Sequence, residues 1–363
     1  MESLDIGTIA ALGGLLGGVV LGFAARWGRF CTLNSIEQAV LGADLNGLRM
    51  WALAISVAIA CSWSANQFGY INLGSSFYLT APVALTASIA GGLIFGLGMA
   101  FVGTCGFGCL ARIGGGDLKS VVTFLVMGIT AYATMHGATA YVREYLFPRV
   151  EAPTHAESIP AFVSDISGLP ALLIAYGMAL VLGLAAIINK SFLLDGRKIL
   201  TAVLVGLTIV YGWIVTGYIA IDEFDPRPLE NYTFSAPMGD AIIYVMTLTG
   251  ASLKFGIGAV FGVVLGAFLT SISQGHFRWE ACDDAIELRR QMIGGFLMGI
   301  GSVTALGCSI GQGLSAMSTL AWSAPVTVAS IFIGAWFGLH YLVQGSFVAP
   351  LKTLFNFSSG RNL

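Results

Sequence analysis

The chain has 363 residues, of which 10 % are charged and 56 % hydrophobic, against roughly 25 % charged in a soluble globular domain. Mean hydropathy is +0.84 and 48 residues are glycine, a composition that excludes an ordinary water-soluble enzyme and suits closely packed membrane helices. A net charge of −2 leaves no basic surface for phosphates and excludes a nucleic-acid partner.

Crossing hydrocarbon takes about 20 mostly apolar residues in a helix, because every backbone N–H and C=O must be satisfied internally. Nine stretches meet that need, at 7–26, 48–68, 80–103, 118–140, 168–189, 199–218, 253–274, 291–307 and 325–346. They predict an all-α polytopic protein of the lipid bilayer, with about nine transmembrane helices and several short re-entrant or interfacial ones. The first stretch reads as a span and not a signal peptide. Glu2 and Asp5 precede it in place of a basic leader, and it runs into Arg26 and Arg29 without a small-residue cleavage site.

Basic residues stay on the cytoplasmic side. With the N-terminus outside and the C-terminus inside, 13 of the 17 Lys and Arg face the cytoplasm, and only Arg143, Arg149, Arg227 and Lys254 fall outside. Glu151, Glu157, Asp222, Glu223 and Asp225 then sit in external loops.

The chain repeats itself. Gly18-Val19-Val20-Leu21-Gly22 recurs as Gly262-Val263-Val264-Leu265-Gly266. More tellingly, Gly91-Gly92, Gly96, Gly98, Cys105 and Gly108 align at one offset of 203 with Gly294-Gly295, Gly299, Gly301, Cys308 and Gly311. Duplicated halves commonly enclose a transporter's substrate site. The expected division of the single membrane domain is a first half at 13–140, connecting helices and external loops at 141–252, and a second half at 253–346.

Of six cysteines, none forms a C-x2-C pair, and with four His in the chain a zinc site is not expected. Packing accounts for Cys61 and Cys282. Cys105 and Cys308 differ, because each ends a span and opens a glycine-rich C-x-x-G segment: Cys105-Gly106-Phe107-Gly108, with Cys109 next, and Cys308-Ser309-Ile310-Gly311. Glycine disfavours helix interior, so these segments mark helix breaks, which membrane proteins tolerate where they line a cavity. A broken helix offers free N–H groups and a positive dipole end to an anion. With cations scarce in the spans, an anion here is held by dipoles and thiols, weakly enough to be released. Gly28-Arg29-Phe30-Cys31 follows the first span and leads into a short amphipathic helix that Thr32 or Asn34 is placed to cap.

In these motifs, Gly28-Arg29-Phe30-Cys31, the G-x-x-x-G-x-G run into Cys105 with Gly108, and Gly307-Cys308-Ser309-Ile310-Gly311-Gln312-Gly313, the chain resembles the YeeE/YedE family of bacterial sulfur-transport membrane proteins, over about residues 13–340. The resemblance implies an hourglass-shaped protein that passes thiosulfate, or a related sulfur or selenium species, through the inner membrane without a cofactor. It implies that Cys31, Cys105 and Cys308 touch the passing anion as neutral thiols, with Gly106, Gly108, Ser309, Gly311 and the additional Cys109 around them. A membrane thiol or persulfide sulfurtransferase is the competing expectation. A small cytoplasmic sulfurtransferase is the partner the resemblance suggests.

Overall fold

The computed structural model describes residues 5–81, 84–147, 158–221, 229–248, 252–282 and 284–345. Among them no β-strand forms. The first part of the chain holds α1 (Ile6–Trp27), α2 (Thr32–Leu41), α3 (Asn46–Gln67), α4 (Leu85–Val102), α5 (Gly106–Gly114) and α6 (Leu118–His136). Then come α7 (Ala171–Ile187), α8 (Gly196–Ile214), α9 (Ser235–Met246), α10 (Phe255–Ser273), α11 (Ala285–Thr304), α12 (Gly311–Ala316) and α13 (Ser323–Gln344). Arg149, Glu151, Glu157, Asp222, Glu223, Asp225, Arg227, Lys352 and Arg361 lie outside the described residues, as do Glu2 and the C-terminus.

Each predicted stretch falls on a long helix. Among the described residues, seven spans are long and apolar enough to cross a membrane, eight if the pair Ile159–Ser167 and Ala171–Ile187, bent by 119°, counts as one. This is a multi-pass membrane protein. The predicted span at 291–307 begins earlier, as α11, and Glu287, Arg289 and Arg290 in its first two turns keep it out of the seven. α4 and α5 together make one broken span, Leu85–Gly114.

Glycines set the helix arrangement by letting backbones touch. The two Gly-Val-Val-Leu-Gly copies pack face to face: a Cβ on Gly18 would lie 3.0 Å from the Cα of Gly262, and one on Gly262 would lie 2.9 Å from the Cα of Gly18. Gly14 faces Phe255 and Gly22 faces Ala267, so α1 and α10 run parallel. The second repeated set makes the opposite contact. Gly91 meets Gly301 and Gly98 meets Gly294, hence α4 and α11 run antiparallel. On their other flanks, Gly92 meets Thr327 and Gly96 meets Ala335, which lays α13 parallel to α4. Gly295 meets Thr123 and Gly299 meets Ala131, which lays α6 parallel to α11. Substituting any of these glycines by a larger residue would drive a side chain into backbone, which cannot retreat as a flexible side chain can.

Polar caps hold the other ends. Asp117 accepts from Lys119 N at 2.9 Å and starts α6, Asp195 accepts from Lys198 N at 3.3 Å and starts α8, and Asp284 accepts from Ile286 N at 3.1 Å and starts α11. Such carboxylates satisfy first-turn N–H groups and complement the helix dipole.

Candidate functional site

All three family cysteines stand at the start of a short helix. Cys31 is the N-cap of α2, in extended conformation (φ −145°, ψ 131°), so the cap expected at Thr32 or Asn34 is the cysteine, and Thr32 is the first helical residue. Cys105 is the N-cap of α5 and its Sγ accepts from Gly108 N at 3.4 Å. Cys308 immediately precedes helical residues 309 and 310, which continue into the π-wound α12, and its Sγ accepts from Gly311 N at 3.5 Å and from Phe234 N at 3.4 Å. The C-x-x-G spacing is thereby explained. It is the spacing of an N-cap acceptor and the N3 amide, and a glycine at N3 leaves room for the threonine hydroxyl that packs there, Thr104 at Gly108 and Thr233 at Gly311.

The breaks are shaped alike. α4 is capped by Gly103 in left-handed conformation (φ +79°), and α11, which ends at Thr304, is followed by the left-handed Leu306 (φ +58°), two residues before Cys308. The freed carbonyls are met from the following short helix: Arg112 donates to Gly103 O at 2.7 Å, and Gln312 Nε2 donates to Ala305 O at 2.9 Å and Leu306 O at 3.2 Å.

Each thiol has hydroxyl groups beside it, and two of these link Cys31 to the Cys105 break. Cys31 Sγ lies 3.9 Å from Thr104 Oγ1, and Thr32 Oγ1 donates to Cys105 Sγ at 3.7 Å. The Ser309 hydroxyl is the next polar neighbour of Cys105, and that hydroxyl is buried without a hydrogen-bond partner. Cys308 Sγ lies 3.7 Å from Thr233 Oγ1. Cys105 and Cys308 are fully buried, whereas Cys31 is half-exposed. Beside the series, the rings of Phe107 and Phe234 lie 5.3 Å apart and are both buried.

A cavity opens at each end. One of about 610 Å³ reaches Cys31, Thr104 and Gly108, and its wall carries Arg26, Arg29, Arg112 and Arg197, with no carboxylate among the described lining residues. Arg29 sits there at φ +54°, a strained backbone for a non-glycine residue, and Arg197 lies 5.2 Å over the Trp27 ring. A smaller cavity of about 250 Å³ reaches Gly307, Thr233 and Tyr78, with Arg143 on its wall. The first lies by the C-terminal end of α4 and the second by the C-terminal end of α11. Because those helices are antiparallel, the cavities open at opposite ends of the pair, with the cysteines between them, as an hourglass requires. Burial, ahead of the nearby Cys308, pushes the Tyr78 phenol well up, so it acts as a neutral donor.

The other predicted residues divide. A Cβ on Gly108 would collide with Thr104 Oγ1, and one on Gly311 would lie 2.7 Å from Thr233 Oγ1 and 3.1 Å from the Tyr78 hydroxyl, so both line the series. Gly106 instead faces Met127, whose methyl would lie 2.9 Å from an added Cβ, and serves packing. Cys109 is fully buried and donates to Ser120 O at 3.0 Å, turned toward α6. Sequence reasoning missed Thr104, Thr233, Tyr78, Arg112 and Ser235. The offset of 203, carried back from Cys31 to Phe234, would have flagged Thr233 and Ser235.

The chain is 25 % identical over 342 residues to a protein of Escherichia coli (strain K12) described as "Thiosulfate transporter TsuA", the match covering 90 % of this chain and 92 % of that one. A protein of Spirochaeta thermophila with the same description is 28 % identical over 360 residues, covering 89 % of this chain and 96 % of that one. The Sulphur transport family matches residues 27–337, from the end of α1 to the last turns of α13 and through all three cysteine caps; the chain belongs to that family.

Proposed function

We propose that this protein carries thiosulfate across the bacterial inner membrane into the cytoplasm, handing the unmodified anion along Cys308, Cys105 and Cys31. The observation that carries the reading is the arrangement of the thiols: three cysteines at the starts of three short helices, each beside a hydroxyl group, between two cavities at opposite ends. Thiosulfate bears charged oxygens and a soft terminal sulfur. Neutral S–H and O–H donors with helix N-termini offset part of its desolvation, while the absence of a fixed ion pair along the described series keeps binding weak enough for release.

The direction follows from charge. The larger cavity is walled by arginines and faces the side where basic residues are retained, which makes it the cytoplasmic exit, with the N-terminus outside. A small cytoplasmic sulfurtransferase is the partner we assign to that mouth. No step here breaks or forms a covalent bond, so the protein acts as a transporter and not as a sulfurtransferase.

We also read α1 to α6 and α8 to α13 as inverted copies at an offset near 203. Cys31 then corresponds to Phe234, each the N-cap of a short helix. Gly103 corresponds to Leu306, Cys105 to Cys308, and Cys109 to Gln312. The antiparallel α4 and α11, each with the other copy's last helix parallel on its flank, support this pairing. The second copy thus starts with α8 instead of at residue 253, and the face-to-face Gly-Val-Val-Leu-Gly helices are packing partners from non-equivalent positions.

Purified protein in liposomes, given ³⁵S-labelled thiosulfate, tests the reading. Uptake is expected in the wild type and is lost in Cys105→Ala. Absence of uptake by the wild type, or a sulfur label retained covalently on the protein after turnover, would overturn it.

A further inference from the structure

We infer that the outer cavity is a built oxyanion-binding pocket, in which Arg143, Ser235 and the N-terminus of α9 hold the oxygen end of the substrate beside Cys308. The inference rests on the proposed thiosulfate transport and adds to it a capture site with named residues. Arg143, from the helix Ala138–Leu146, is the one cation among the described residues lining this cavity. Its side chain is 15 % exposed, and the carboxylate it meets, at 3.4 Å, belongs to its own neighbour Glu144, which is 62 % exposed. A mostly buried guanidinium facing only a solvated carboxylate retains donors for an anion.

Ser235 supplies the independent observation. It is 98 % buried by its 2 % exposure, its hydroxyl has no hydrogen-bond partner, and it lines the cavity as the first residue of the twelve-residue α9. A buried hydroxyl without a partner costs free energy unless something fills the site. Ala236 of the same first turn lines the cavity as well, so the unpaired N–H end of α9 and its dipole face the same space. Opposite them, Gly307 and Thr233 form the wall shared with Cys308, Thr233 Oγ1 lying 3.7 Å from the Cys308 sulfur. A tetrahedral dianion with its oxygens on Arg143 and Ser235 therefore points its remaining substituent toward the first thiol. Sulfate shares the oxygen face and lacks the terminal sulfur, so it competes for the pocket without being passed on.

The test measures binding and uptake separately on the full-length protein. In detergent, thiosulfate and sulfate are each titrated against intrinsic tryptophan fluorescence; in liposomes, labelled thiosulfate uptake gives KM and maximal rate. Loss of a charge-assisted hydrogen bond corresponds to a change of about ten- to a hundredfold. Arg143→Gln should raise both dissociation constants and the KM by that factor with the maximal rate kept, and Arg143→Lys should recover most of it. Ser235→Ala should raise them about two- to tenfold, and Glu144→Gln, which removes the competing carboxylate, should lower KM. Unchanged dissociation constants in Arg143→Gln, or a Glu144→Gln effect of the opposite sign, would overturn the pocket. A wild type that binds both anions, loses them on Arg143→Gln, yet imports no thiosulfate would sink the transport reading while leaving the pocket standing.

Discussion

The break at Cys105 and the break at Cys308 solve the same problem with different chemistry. In both, a left-handed residue follows the end of a long helix and a short one restarts from a thiol cap. At the Cys105 break the exposed carbonyl is met by the cation of Arg112, which also faces the large basic cavity. At the Cys308 break the carbonyls are met by the neutral amide of Gln312, which is fully buried. Phe234, 203 residues beyond Cys31, likewise precedes a short helix, and its backbone N–H goes to Cys308. The side of the large cavity is thus open, cationic and carries an extra thiol, and the side of the small cavity is tighter, with Arg143 as the one cation among its described lining residues. For an anion, that gradient favours movement toward the arginines and weak holding at the narrow centre.

The largest effect expected from perturbing this comparison is at the two matched thiols. Cys105→Ala and Cys308→Ala each remove a donor to a charged acceptor at a point with no water to replace it. Initial uptake should fall on the order of a hundredfold, and Cys31→Ala, at the half-exposed inner end, should fall less. Equal losses at all three positions would show that the gradient does not matter. Gly311→Ala comes next. The added methyl meets Thr233 and the Tyr78 hydroxyl, and uptake should drop about tenfold from displacement of polar groups in the outer half. Gly108→Ala, whose methyl would collide with the buried Thr104 hydroxyl, should cost at least as much, and the ratio of the two rates compares the tolerance of the two breaks. Gln312→Leu leaves two buried carbonyls short of a donor, at about 2 kcal/mol, visible as a lower midpoint of thermal unfolding in detergent. Arg112→Met, near water, should lower that midpoint less.

Much of this was legible beforehand because membrane burial writes itself strongly into sequence. Every long apolar stretch is a helix, and the glycines flanking Cys105 and Cys308 marked the breaks. The helix ends were less legible. Glu287, Arg289 and Arg290 disguised the first turns of α11, since length in a helix and depth in a bilayer are different quantities. The two Gly-Val-Val-Leu-Gly copies face each other because close backbone approach demands glycine at the same spacing on both of two tightly packed helices. The site beyond the cysteines was hidden for another reason. Thr104, Thr233 and Ser235 are common residues whose importance comes only from the neighbour that the fold brings to them, 73 residues away for Thr104 with Cys31 and 75 for Thr233 with Cys308.

The smallest effect separates the two breaks most sharply. Cys109 and Gln312 occupy matching positions four residues beyond their cap cysteines, yet they face different ways: Gln312 bonds back to the carbonyls of its own broken helix, while Cys109 donates sideways to Ser120 O at 3.0 Å. Removing the Cys109 thiol therefore costs one weak hydrogen bond and a sulfur's worth of packing, about 1 kcal/mol, with no donor lost from the anion's route. Cys109→Ala should transport within about twofold of wild type, since a loss below 0.5 kcal/mol at the route itself changes a rate by no more. Cys109→Ser, which keeps a donor for the Ser120 carbonyl, should regain part of the lost unfolding midpoint. A tenfold fall in uptake by Cys109→Ala, with its midpoint unchanged, would mean that this thiol leaves Ser120 during transport and turns into the series, making the inner break a two-thiol station where the outer break has one.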